Sequence, residues 1–181
     1  FEPGAGVIRA RAAVQALVGY LVAHAGVSYV TGHVQPVADR MPALDVRTSD
    51  GARLDADAFV FACGPWLPRM FPEAVGGRIR PTRQEVLYSG VPAGDPMFSV
   101  ARLPVWIDLT AGLYGIPDLD ACGFKVGIDA HGPLIDPDTL DRTVDAGLVA
   151  RPRAWLGQRF PVLHDAPLVD AHVCQYENTS S

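Results

Sequence analysis

The sequence predicts two units of different class. Residues 1–77 read as part of an α/β domain, and residues 78–181 as a mixed β-sheet domain with helices on one face. Three observations carry this reading. A helical period over residues 7–25 runs through a two-residue connection into a short apolar segment, the αβ order of a layered domain. The run Ala58-Phe59-Val60-Phe61-Ala62-Cys63 is apolar without a break, as in a strand buried on both faces. After Gly77 the chain becomes a series of short apolar segments split by Pro and Gly.

The elements follow in order. Residues 1–6 form a Gly/Pro turn. Val7, Ile8, Ala12, Val14, Leu17, Val18, Leu21 and Val22 recur near every 3.6 residues and predict an amphipathic helix closed by Ala25-Gly26. Val27–Thr31, Val34–Ala38 and Leu44–Thr48 are candidate strands. Ser49-Asp50-Gly51 turns the chain back into Arg53–Ala58, because Asp-Gly tolerates positive φ. The run 58–63 stops at Gly64-Pro65-Trp66, and a short helical stretch reaches Phe71. Beyond Gly77, Ile79–Ser89, Met97–Val100, Val105–Leu109, Gly112–Ile116 and Gly123–Ile128 read as strands. Asp136-Pro137-Asp138 supplies a cap residue before a proline and predicts a helical region from Ile135 to Arg142. Helix continues over 148–160 until Pro161, and Val169–Tyr176 is a last strand.

Composition narrows the function classes. With 15 Lys+Arg against 20 Asp+Glu the formal net charge is −5, which gives no support for binding nucleic acid or an anionic membrane surface. No apolar run reaches the length of a membrane span. Hydrophobic residues make up 49% and charged residues 19%, the composition of a folded chain rather than a disordered one. Cys63, Cys122 and Cys174 are odd in number and widely spaced, so neither a disulfide framework nor a zinc site is expected. A reducing, cytoplasmic setting follows as the expectation.

Several constellations could carry chemistry. Gly4-Ala5-Gly6 has no strand before it and is better read as a turn than as a phosphate cradle. Gly64-Pro65-Trp66 follows an apolar strand, where ligands sit in α/β folds, or else simply ends that strand with Trp66 as core. Lys125 lies within Gly123-Phe124-Lys125-Val126-Gly127. It is either an edge or snorkelling lysine, or a cation facing a place where negative charge develops. Period two puts Asp129 on its face, and Tyr114 lies in the strand expected to pair with it. Asp170, His172, Cys174 and Tyr176 alternate along the last strand. They form a solvated face, a Cys/His nucleophilic pair, or a thiol held at a cofactor. Side chains two apart on a strand stand about 7 Å apart at Cα, which disfavours the nucleophilic pair. Metal binding lacks further ligands at useful spacing, and no metal is expected.

Together these residues resemble a known family. Phe61-Ala62-Cys63-Gly64-Pro65-Trp66, Thr82-Arg83-Gln84, Leu113-Tyr114-Gly115-Ile116-Pro117 with Gly123-Phe124-Lys125-Val126-Gly127, Asp136-Pro137-Asp138, and Cys174-Gln175-Tyr176-Glu177-Asn178-Thr179 occur in the order found in amine-oxidising flavoproteins of the D-amino acid oxidase superfamily. The likeness is greatest to the monomeric sarcosine oxidase and N-methyltryptophan oxidase group, and it spans about residues 6–181. It implies that 1–77 belongs to an FAD-binding domain and 78–181 to a substrate domain. The implied reaction oxidises a secondary amine or N-methyl amino acid to an imine, with O2 reduced to hydrogen peroxide.

By the same resemblance, Cys174 corresponds to a cysteine joined to the flavin by a thioether, although relatives also hold flavin without a bond. Lys125 corresponds to the lysine that promotes reaction with O2, and Tyr114 and Tyr176 to tyrosines lining the amine site. Gly64, Trp66 and Val34 correspond to positions where chain meets cofactor. Asp129 stands where sarcosine oxidases carry histidine, so the preferred amine should differ. The strand–GxGxxG–helix unit of such proteins is missing, as is their Gly-rich segment beyond the last strand. The sequence therefore reads as an internal piece of such an oxidase. The alternative is a non-catalytic remnant that binds no flavin. The expected partners are a small amine and O2, without nucleic acid or membrane, in a monomer.

Overall fold

The computed structural model describes residues 2–35 and 45–179. They fall into two compact units, one of residues 7–79 and one of residues 80–179 together with the first few residues. The architecture is mixed α and β, as the sequence predicts.

In the first unit, helix α1 spans Ala10–His24. It begins three residues later than its periodicity suggests and buries none of its side chains. Strands β1 (Val46–Arg47) and β2 (Arg53–Leu54) pair antiparallel around the predicted Asp50-Gly51 turn. Thr48 N–H donates to the Ala52 carbonyl and its hydroxyl donates to Asp50. Val34 is joined to Thr48 by an isolated bridge, and residues 36–38 of that expected strand lie outside the described residues. Val27–Thr31 forms no strand.

The expectation for 58–63 is overturned. The segment is extended without a strand partner among the described residues, and Val60 is 93% exposed. Its alternation survives: Phe59, Phe61 and Cys63 pack on Val46 and Met70, while Ala58, Val60 and Ala62 point the other way and are exposed. An uninterrupted apolar run marks burial on both faces only when a neighbour covers each, and here one face is covered. A 3-10 turn (Gly64–Trp66) then leads into the short helices α2 (Leu67–Met70) and α3 (Pro72–Val75). Pro72, expected to punctuate, instead occupies the first turn of α3, where its missing N–H costs nothing.

The second unit is built on five strands: β3 (Ile79–Ser89), β4 (Trp106–Asp108), β5 (Leu113–Ile116), β6 (Phe124–Ile128) and β7 (Leu168–Thr179), in the order β4-β5-β6-β3-β7. The β4–β5, β5–β6 and β3–β6 pairings are antiparallel. Helix α4 (Ala146–Arg159) starts at Asp145, whose carboxylate accepts the Gly147 N–H at 2.7 Å, and gives way to a turn at Pro161. It covers one face of the sheet. Leu113, Phe124 and Val126 pack there with Leu156, Leu163 and Phe98. Trp106 stacks on Trp155 with centroids 4.7 Å apart and lies flat over Gly115. Any Cβ at Gly115 would fall 2.0 Å from that indole, so the glycine is what lets the strand carry a tryptophan beside it.

Two further expectations fail for identifiable reasons. Residues 97–100 contain a 3-10 turn (Pro96–Phe98) capped by Asp95, not a strand. Residues 135–142 form turns rather than helix. Asp136 accepts the Asp138 N–H at 2.9 Å, and Arg83 takes the Asp141 and Thr143 carbonyls at 2.9 and 2.6 Å. The cap residue therefore closes a local turn, and Arg83 engages those two carbonyls.

Candidate functional site

The register of the sheet decides what shares a face. Tyr88 is opposite Lys125, Ile116 opposite Lys125 on the other side, and Tyr114 opposite Gly127. These residues therefore look away from α4, while Leu87, Phe124, Val126 and Leu113 look toward it. Tyr114 lies flat across Gly127, where a Cβ would sit 2.4 Å from the ring. That posture sends its hydroxyl to the Tyr176 hydroxyl of β7, 3.0 Å away. Lys125 is half-buried, with its ammonium 5.7 Å from the centre of the Tyr114 ring. It is the single lysine of the chain.

Along β7 the alternation holds. Tyr176 meets Tyr114, and His172 meets the edge of Tyr88 with centroids 5.6 Å apart. Cys174 lies between them on the same face as a half-buried free thiol. Burial, the Tyr176 hydrogen bond, and the nearby Tyr176, Cys174 and Tyr88 hold the Tyr114 hydroxyl far above the usual tyrosine range. Burial and then the neighbouring Cys174, Asp170 and Cys122 also push Tyr88 up. The neutral form is favoured in both, so Tyr114 and Tyr88 keep their hydroxyl protons.

Asp129 continues β6 by one step. Its N–H donates to the Gly112 carbonyl at 2.8 Å, and it is exposed. Lys125, Tyr114, Asp129, Tyr176 and Cys174 are thus on one face of one sheet. Gly64, Trp66 and Val34 belong to the other unit. Gly64 opens its turn with φ +54°, Trp66 is partly exposed, and Val34 packs near Val46. Among the described residues no group of three or more His, Cys, Asp or Glu side chains could hold a metal ion. No helix among them is long and apolar enough to cross a membrane.

Two further residues of this face, Tyr88 and Gln84, were given no site role from the sequence, although Gln84 lies in the Thr82-Arg83-Gln84 stretch. Tyr88 pairs with Lys125 and touches His172. Gln84 is 3% exposed, and its Nε2 has no hydrogen-bond partner. A buried polar residue between Thr82 and Val86 on a strand was the available signal. Beyond Tyr88 a cavity of about 340 Å³ is lined by Tyr88, Cys122, Asp170 and His172, and the His172 ring nitrogen is 3.0 Å from the Asp170 carboxylate.

The family described as FAD dependent oxidoreductase (DAO) matches residues 1–177. The chain belongs to this family. Monomeric sarcosine oxidase of Bacillus sp. (strain NS-129) is 25% identical over 183 residues, covering 99% of this chain and 47% of that protein. The chain therefore spans about half the length of this curated relative. A double-cysteine mutant of Amadoriase I from Aspergillus fumigatus has the same fold, with TM-score 0.77 at 22% identity over 97% of this chain and 43% of that one. Glycine oxidase from Geobacillus kaustophilus gives TM-score 0.66 at 22% identity over 91% and 41%.

A DAO-family chain is expected to meet FAD, and the residues fit such a group. The face opposite α4 offers an ammonium, a hydroxyl pair with one uncommitted proton, a thiol and a buried amide N–H without an acceptor. A donor-rich surface of this kind suits a planar ring edged with acceptors.

Proposed function

We propose that this chain carries the substrate side of an FAD-dependent oxidase acting on a secondary amine or N-methyl amino acid, with O2 reduced to hydrogen peroxide. The observation that carries the reading is the gathering of Lys125, Tyr114, Tyr176 and Cys174 on one sheet face. When bound, FAD supplies the two-electron acceptor for the amine and the electron source for O2.

Each residue has a part suited to its setting. Lys125 fixes a positive charge in a half-buried place, where it stabilises negative charge developing on oxygen far better than it would in water. Tyr114 keeps its proton, and Tyr114 and Tyr176 orient the amine. Asp129 attracts the cationic amine and can hold its proton. Cys174 is the residue proposed to hold the flavin through a thioether. Gly64, Trp66 and Val34 are the residues proposed to contact the cofactor.

A second reading, a non-catalytic remnant that binds no flavin, is favoured by one observation: α1 buries no side chain and Val60 is 93% exposed, so the nucleotide-side unit is thinly packed. One experiment separates the two. The purified chain is incubated with FAD, precipitated with acid, and washed. Yellow colour in the pellet of wild type, lost in Cys174→Ser, is the expected result. A folded chain that stays colourless throughout would establish the remnant.

A further inference from the structure

We propose that His172 is the base for flavin attachment: it takes a proton from a methyl carbon of the flavin ring as the Cys174 sulfur joins that carbon. The inference rests on the proposed Cys174 thioether and adds to it the group that drives its formation.

The placement follows from β7. Asp170, His172 and Cys174 alternate along the strand and share one face. Thiol and imidazole are two residues apart, about 7 Å at Cα. That gap is too wide for direct proton transfer between them, and it admits one carbon between sulfur and ring nitrogen. The Asp170 carboxylate stands 3.0 Å from Nε2 of His172. The neutral ring therefore keeps its proton on Nε2 and carries its lone pair on Nδ1. Tyr88 meets the imidazole edge-on, with centroids 5.6 Å apart, and fixes its plane. The cavity of about 340 Å³ lined by Tyr88, Asp170 and His172 gives the edge of a planar group access to this row.

The tyrosines around Cys174 do not serve as the base. Burial holds the hydroxyl protons of Tyr88 and Tyr114 in place, and Tyr176 is bonded to Tyr114 at 3.0 Å. Asp170 is engaged by the Ala171 N–H at 2.8 Å and by the imidazole. The step balances with O2 as the oxidant. One C–H bond of the methyl and the thiol S–H bond break, and one C–S bond forms. The two protons and one electron pair pass to O2 as hydrogen peroxide.

The test follows acid-stable flavin colour against time, in air, with two probes, FAD and 8-chloro-FAD. The chlorinated ring takes a thiolate by loss of chloride, with no methyl proton to remove. With FAD, His172→Ala should slow attachment about a hundredfold or more, and free imidazole should restore part of the rate. With 8-chloro-FAD the same variant should attach as fast as wild type, which shows that fold and flavin binding are intact. Cys174→Ser should lose attachment of both probes.

His172→Ala attaching FAD at the wild-type rate, or losing both probes alike, overturns the base and leaves the Cys174 thioether standing. A wild type that attaches 8-chloro-FAD but never FAD also overturns the base alone. A wild type that attaches neither probe, or a Cys174→Ser variant that attaches both, overturns the thioether and His172 with it.

Discussion

Lys125 shows how much a single side chain can decide. The chain uses arginine for its other permanent cations, and its one lysine stands beside the Tyr114 ring. A compact ammonium suits a small developing anion, whereas a guanidinium suits planar bidentate acceptors. Its neighbour Tyr114 has a measurable signature. Its folded pKa is raised above the unfolded value of about 10, so below pH 10 both states are protonated and its contribution is fully present. Above pH 10 the unfolded chain loses the proton while the folded chain keeps it, and stability falls as pH rises. Tyr88 adds in the same direction. Urea unfolding from pH 8 to 11 should therefore show an alkaline decline in the wild type. Tyr114→Phe should flatten that decline while losing about 1 kcal/mol at pH 8 with the Tyr176 hydrogen bond. An unchanged slope in the variant would show that Tyr114 titrates normally.

At the level of elements, β3 is held by a buried ion pair with further duties. Arg83 and Glu85 have 15% and 4% side-chain exposure and meet at 2.5 Å. Arg83 also gathers the Asp141 and Thr143 carbonyls. Arg83→Met would strand the Glu85 carboxylate in the interior and release that segment, a loss of about 3–5 kcal/mol by urea unfolding. Adding Glu85→Leu should recover more than half of it, since the pair is replaced by packing volume rather than broken. No recovery would mean that the carbonyl contacts, not the charge pair, dominate.

The same residue explains a limit of sequence reading. The cap-and-proline pattern at Asp136-Pro137-Asp138 is a sound helix signal, but Arg83 lies more than fifty residues away and no local pattern announces its claim on those carbonyls. The strands of the five-stranded sheet were legible because apolar segments there alternate and end at Gly or Pro. The shared face of Lys125, Asp129, Cys174 and Tyr176 followed from period two within single strands. What joins β5 to β7, the Tyr114–Tyr176 contact, depends on Gly127 of β6 giving the ring room to lie flat. Gln84 was hidden for a related reason. A strand residue's burial depends on what lies against it, here the 132–134 segment paired beside β3, and sequence spacing does not encode that.

Across the whole molecule the two units differ in how well they satisfy their own hydrophobic patterns. The sheet unit closes an aromatic core around Trp106, Trp155, Phe124 and Phe160. In the other unit Val30 is 82% exposed, Val60 93% and Tyr29 68%, and α1 has no buried residue. Exposed apolar surface on this scale favours self-association. Val60 and Phe61 separate the two sides of the 58–63 segment. Val60→Lys replaces a side chain that touches little. It should move the unfolding free energy by no more than about 0.5 kcal/mol while lowering light scattering at high protein concentration. Phe61→Ala removes a ring packed edge-on against Phe71 at 4.7 Å and should cost about 2–3 kcal/mol, less than a fully buried phenylalanine because the site is half-buried. If Val60→Lys destabilises as much as Phe61→Ala, both faces of the segment are covered in solution. The uninterrupted apolar run would then have stated the burial of this strand correctly.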